Sequence, residues 1–237
     1  MQTLGIVGGL GPESTVDYYR SIIGRYRSRT ANGAGYPHIV INSLDVDRGI
    51  AMLNEGRLSD LTDYLAEAIE SLVRAGADFG AIAANTPHIV FDKLLSRSPI
   101  PLISIVDAAC ERARSLGLRR LALFGTGFTM GASFYFETFE RAGITLIRPA
   151  PAEREFIHGK YIGELLNNQF LPETRSAIFA IAERLKRDEA IEGLVLAGTE
   201  LPLLLRESPP KSLEVLDTSE IHVEAIVDHL LATRPVR

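Results

Sequence analysis

Short apolar runs, each closed by glycine or a small polar cluster, alternate along the chain with longer segments whose apolar residues recur every three or four positions. Thr3 to Gly8 predicts a buried strand that breaks at Gly8-Gly9-Leu10-Gly11-Pro12. Val16, Tyr19, Ile22, Ile23 and Tyr26 then mark a helix starting at Pro12 and the Glu13-Ser14-Thr15 cluster. His38 to Leu44 predicts a second strand, followed by Asp45-Val46-Asp47-Arg48. Leu58 to Ala75 predicts an amphipathic helix with Leu61, Leu65, Ala68, Ile69, Leu72 and Val73 inward, ended by Gly76. Phe79 to His88 then runs from a strand through Asn85-Thr86 into a helix over Pro87 to Leu95, and a strand at Leu102 to Ile105 follows.

The pattern begins again at a helix over Asp107 to Leu116 and a strand at Arg120 to Phe124, which breaks at Gly125-Thr126-Gly127. Helices over Thr129 to Ala142, Glu153 to Asn168 and Pro172 to Lys186, and strands at Ile144 to Ile147 and Gly193 to Ala197, complete it. Gly193 to Leu204 repeats the plan of Phe79 to His88: a buried strand delivers a threonine and polar backbone to the mouth of a sheet. This weak internal repeat predicts two related α/β units, 1–106 plus 214–237 and 107–213. The strand at Leu213 to Leu216, and the last helix from Ile221 to Leu231 capped by Asp217-Thr218-Ser219, are expected to return to the first unit.

Composition narrows the function classes. With 237 residues and 46% hydrophobic content the chain can bury a sizeable core. A formal net charge of -5 and the lack of a long Lys/Arg run give no electrostatic footprint for nucleic acid. The single Cys110 excludes an intramolecular disulfide and any multi-cysteine metal site, and its helical surroundings suit a small buried residue. The N-terminus lacks the features of a signal peptide, and no apolar run reaches membrane-spanning length, so a cytoplasmic protein without a membrane partner is expected.

Candidate chemistry lies at the strand ends, where strand carbonyls, unpaired helix N–H groups and threonine hydroxyls converge. For the first glycine cluster a tight turn and a ligand contact weigh about equally. Arg48 is suited to a bidentate pair with a carboxylate or, more simply, to a salt bridge with Asp45 or Asp47.

The series GIVGGLGPEST, NTPH, GTGFTM, FIHGKYIGEL and GTELPLLL, spread in order along the whole chain, resembles the aspartate/glutamate racemase superfamily, closest to aspartate racemases. The resemblance implies two similar Rossmann-like domains with the site in the cleft between them, a homodimer, and racemisation of an acidic amino acid without cofactor, PLP included. It implies one cysteine on each side of the substrate, at the positions that Ala84 and Gly198 occupy here. Neither side chain titrates, so the two-thiol mechanism does not transfer.

The resemblance also makes Arg48 and Lys160 the groups that hold substrate carboxylates, with Asn85, Thr86, Thr126 and Thr199 as further donors. Lys160 as a solvated helix charge, and each threonine as a helix cap, are the plainer alternatives. Glu200 is the remaining acid/base candidate, against a simple first-turn charge, and His88 reads as a packed or capping residue before a titrating one. Three functions follow: a racemase with recruited groups, a non-racemising lyase, decarboxylase or isomerase on a related carboxylate, and an inactive protein that binds an acidic amino acid.

Overall fold

The computed structural model describes residues 2–30, 35–205 and 213–232. They form two units, 1–105 with 222–237 and 106–221, each built on a four-stranded parallel sheet.

In the first unit the strands β1 (Thr3–Gly8), β2 (His38–Ser43), β3 (Phe79–Ile82) and β4 (Leu102–Ile103) lie in the order β2-β1-β3-β4. Gly5 sits opposite Val40 on one side and Gly80 on the other. The central strands β1 and β3 are almost wholly buried, which is why they read as continuous apolar runs rather than as alternating ones. Helices α1 (Pro12–Arg29), α2 (Val46–Asn54), α3 (Leu58–Arg74) and α4 (Phe91–Arg97) connect them. α3 buries Leu61, Leu65, Ala68, Ile69 and Leu72, as its periodicity predicts.

α1 differs from expectation. Its inner face is Ser14, Thr15, Tyr18, Ile22 and Tyr26, while Val16 and Tyr19 are exposed. The phase is set by Thr15, whose hydroxyl accepts from the Gly9 N–H at 2.8 Å and donates to the Gly11 carbonyl at 3.1 Å. These bonds lock the helix start onto the glycine turn. Gly9 has φ +78, and a Cβ there would stand 2.2 Å from the Leu44 carbonyl oxygen, so the turn demands glycine by itself.

The second unit repeats the first. Strands β5 (Arg120–Gly125), β6 (Thr145–Ile147), β7 (Gly193–Ala197) and β8 (Glu214–Asp217) take the order β6-β5-β7-β8, the same permutation of sequential strands. Its helices are α5 (Ile105–Ser115), α6 (Gly127–Gly131), α7 (Phe134–Arg141), α8 (Pro151–Gly163), α9 (Pro172–Glu189) and α10 (Leu201–Leu205). The single helix expected over Thr129 to Ala142 is two, α6 and α7, with Ala132 extended between them at ψ 168.

β8 corrects a boundary. It was expected in the first unit but pairs in parallel with β7, Leu194 opposite Val215 and Leu196 opposite Asp217. Only the last helix, α11 (Thr218–Ala232), carries the chain back. Asp217 caps α11, its carboxylate accepting from the N–H groups of Ser219 and Glu220. α11 then buries Val223, Ile226, Val227 and Leu230 among Leu4, Ile6, Tyr18, Ile22, Tyr26 and Phe79. Among the described residues no helix is long and apolar enough to cross a membrane.

Candidate functional site

In a parallel sheet all strands deliver their C-terminal ends to one edge, and ligands bind beyond that edge. In the first unit this places Ala84, Asn85 and Thr86 just past β3, and Arg48 in α2 just past β2. Ala84 and Asn85 are buried, and Thr86 opens a 3-10 turn, Thr86–Val90, that precedes α4.

Below them lies a pair of buried histidines whose hydrogen bonds fix both tautomers. His88 Nδ1 donates to the Ala84 carbonyl at 3.0 Å, while its Nε2 accepts from the Ile105 N–H at 3.4 Å. His222, on α11, donates from Nε2 to the Ile103 carbonyl at 2.9 Å and accepts from the Tyr18 hydroxyl at Nδ1, also at 2.9 Å. Both rings are neutral by construction. Burial pushes His88 down to about 3, with the His222 ring adding to the shift, and His222 down to about 4. His88 is therefore a packed residue that holds the Ala84 carbonyl.

Arg48 is placed by its helix cap. The Asp45 carboxylate accepts from the N–H groups of Asp47 and Arg48, so it spends its oxygen on backbone rather than on the guanidinium. The Arg48 guanidinium lies over the Tyr64 ring, 4.5 Å from its centre, and makes no ion pair among the described residues. It lines an open cavity of about 300 Å³ with Tyr64, Arg57, Asp60, Asp63 and Glu67. Arg57 pairs with Glu55 and Asp60, and Asp63 with Arg97, whereas the exposed Glu67 carboxylate is in no ion pair among the described residues. The cavity thus offers one uncommitted cation and one uncommitted anion.

In the second unit the strand ends carry Thr126 after β5 and Gly198, Thr199 and Glu200 after β7. Thr126 is a helix cap, accepting from the Thr129 N–H at 3.2 Å. α8 faces both strand ends. His158 accepts from the Gly127 N–H at 3.1 Å through Nδ1, which leaves the ring proton on Nε2 in the neutral form, and burial lowers its pKa. One turn later Tyr161 donates to the Glu200 carboxylate, which also accepts from the Thr199 hydroxyl at 2.9 Å. Tyr161 is 4% exposed and Glu200 2%, so the carboxylate is no solvated first-turn charge.

Gly198 is part of the same arrangement. A Cβ there would meet Tyr161 Cε2 at 2.5 Å and the phenol oxygen at 3.0 Å. The Tyr161 ring therefore fills the space that a side chain on residue 198 would enter. Lys160, on the same helix, forms an ion pair with Glu164, whose carboxylate also accepts from Thr174 at 2.5 Å. Glu164 is held below its usual range by Lys160 and Thr174.

The structure thus joins Gly198, Thr199 and Glu200 in one cluster, leaves Arg48 over a cavity and commits Lys160 to a neighbour. Tyr161, His158, Tyr64 and Glu67 were missed. The signal for the first two is their three-residue spacing in FIHGKYIGEL, which puts both on one helix face. Tyr64 and Glu67 carry no signal apart from their place on α3.

Comparison with known proteins agrees with the fold. A broad specificity amino-acid racemase of Bacillus subtilis (strain 168) is 24% identical over 155 residues, which cover 61% of this chain and 63% of the relative. The matched part thus spans less than two thirds of that relative's length. A crystal structure of an aspartate racemase homologue from Pyrococcus horikoshii OT3 superposes with a TM-score of 0.81 at 34% identity, covering 98% of this chain and 100% of that one. A candidate Asp/Glu racemase from Yersinia pestis gives a TM-score of 0.87 at 29% identity, over 98% and 100% of the two chains. The family described as Asp/Glu/Hydantoin racemase matches residues 7–226, which take in the end of β1 and all the other strands of both sheets, and the chain belongs to that family.

Proposed function

We propose that this protein takes a small acidic amino acid, or a related small carboxylate, as its ligand, and that any chemistry on it is independent of PLP and of paired thiols. The observation that carries this reading is the Arg48 guanidinium, which lies over the Tyr64 ring beside a cavity and is not spent on an ion pair among the described residues. Contact with the ring keeps the guanidinium beside the cavity, and its fork of donors suits a carboxylate's two oxygens. Glu67, one turn beyond Tyr64 on α3, offers the opposite charge for an ammonium group. A zwitterion with a second carboxylate is complementary to this pair.

Membership in the racemase family supports an isomerase of amino acids as the reaction class. Ala84 and Gly198, at the positions where the family resemblance implies cysteines, offer no thiol, and Cys110 lies on α5 with its thiol pushed up by burial and by Asp107. Retention of a binding arginine with loss of both thiols equally fits a receptor for the same ligand. The experiment is calorimetric titration with L- and D-aspartate and L- and D-glutamate. Arg48→Ala is expected to weaken the tightest of these by about 10- to 100-fold, the range for losing a charge-assisted hydrogen-bond pair. Equal affinity in wild type and Arg48→Ala would sink the assignment.

A further inference from the structure

The charges that line the Arg48 cavity do not balance. Arg48 and Arg57 share the lining with Asp60, Asp63 and Glu67, which leaves it one negative charge in excess. Most of these groups already have partners. Arg57 is held between Glu55 at 2.6 Å and Asp60 at 2.7 Å, and Asp63 pairs with Arg97 at 2.6 Å. Of the charged lining residues, Arg48 and Glu67 alone are in no ion pair among the described residues, so the cavity has one cation and one anion to offer a ligand.

An α-amino acid head group has a use for both, a carboxylate for the guanidinium fork of Arg48 and an ammonium group for Glu67. A second carboxylate, on the side chain, then meets no uncommitted cation in the lining. To reach Arg57 it would have to displace Glu55 or Asp60, and it would stand among carboxylates that repel it. The rest of the lining suits another kind of side chain. Ala51 and the buried Met52 are apolar, and a methionine adapts its shape to what lies against it. At about 300 Å³ the cavity is at the small end of ligand sites, which fits a free amino acid.

We propose that this cavity recognises the head group of an α-amino acid, and takes small uncharged side chains as well as it takes acidic ones. The inference rests on the reading that Arg48 holds a ligand carboxylate here, and it widens the ligand class beyond acidic amino acids. Glu67 is the specificity-determining residue, the one that demands an ammonium group. It lies on the exposed side of α3, away from the inward face of Leu61, Leu65, Ala68 and Leu72. A substitution there changes the charge of the cavity and leaves the core untouched.

The test is calorimetric titration of the full-length protein with both enantiomers of alanine, serine and methionine beside those of aspartate and glutamate. At least one uncharged amino acid is expected to bind as tightly as the tightest acidic one, within about threefold, or more tightly. Arg48→Ala should weaken it by about 10-fold or more, the loss of a charge-assisted pair. Glu67→Gln should weaken it by about fivefold, the scale of an exposed ion pair, and should not weaken succinate, which has no ammonium group. An acidic amino acid that exceeds every uncharged one by more than the threefold margin, and that depends on Arg48, overturns the inference and leaves the acidic ligand standing. Equal affinity of the uncharged amino acids for wild type and Glu67→Gln also overturns it, again without touching the Arg48 reading. Binding that Arg48→Ala leaves unchanged for all of these ligands overturns both, as does absence of binding by all of them.

Discussion

Arg48 and Lys160 carry the same charge and the same expected role, yet the fold puts them in different company. Asp45 is occupied by backbone N–H groups and leaves Arg48 to Tyr64, whereas Glu164 lies one helical turn from Lys160 and takes it. A ligand carboxylate at Lys160 has to compete with a partner already in place. The buried histidines make a different residue-scale prediction. His88 and His222 are held neutral with pKa values near 3 and 4, against about 6.5 in the unfolded chain. The unfolded state therefore binds protons first as pH falls. Stability should be full above pH 6.5 and decline below it, by about 2 kcal/mol per histidine at pH 5. Urea unfolding between pH 7.5 and 5 reads this directly, and a flat profile would contradict the assigned tautomers. Neither the pair nor the Tyr161 cluster was legible in sequence. His88 and His222 are 134 positions apart, and Tyr161 meets Glu200 across 39. Periodicity reports which face is inward, but not which buried polar groups find each other.

At the scale of elements, the strands were read well because buried parallel strands are short, apolar and glycine-bounded, and β1 and β7 match their expected limits. The failures are helices. α1 offers two adjacent apolar stripes, and the choice between them falls to the Thr15 hydroxyl and the glycine turn rather than to hydrophobicity. The helix expected from Pro87 begins as a 3-10 turn, and that over Thr129 to Ala142 breaks at Ala132 and Ser133. α2 was not foreseen at all, although Asp45 is an ordinary N-cap residue and its carboxylate starts the helix. That cap supports a prediction with two readouts. Asp45→Ala should cost about 1 kcal/mol of stability, the usual value for a lost cap. Because the same bonds set the first turn that carries Arg48, affinity for the acidic ligand should fall with it. A stability loss with unchanged affinity would separate the cap from the site and show that Tyr64 alone positions the guanidinium.

For the whole molecule, the repeated strand order shows that one plan was used twice, and the sequence pattern pointed to it because β1 and β5 both end in glycine turns while β3 and β7 both lead into a threonine. The misplaced boundary has a physical cause. β8 and α11 are adjacent in sequence and both apolar, but β8 is fixed by its ladder to β7 while α11 is fixed by side-chain burial in the other unit. α11 therefore belongs to the core of a unit from which it is separated by more than one hundred residues of chain. Deleting it exposes the faces of Leu4, Ile6, Tyr18 and Phe79 and removes Val223, Ile226, Val227 and Leu230 from the core. At about 1.5–3 kcal/mol for each buried apolar side chain, the four removed residues alone represent roughly 6–12 kcal/mol. That equals most of the roughly 5–15 kcal/mol by which a domain is stable. It also removes the His222 Nδ1 that accepts from the Tyr18 hydroxyl. A chain ending after Asp217 keeps the β7–β8 ladder intact. Amide exchange of that truncated chain should accordingly lose protection throughout β1 and β3 while β5 and β7 remain protected. Uniform loss over both sheets would show instead that the two units fold as one, and full protection of β1 would show that α11 is not part of its core.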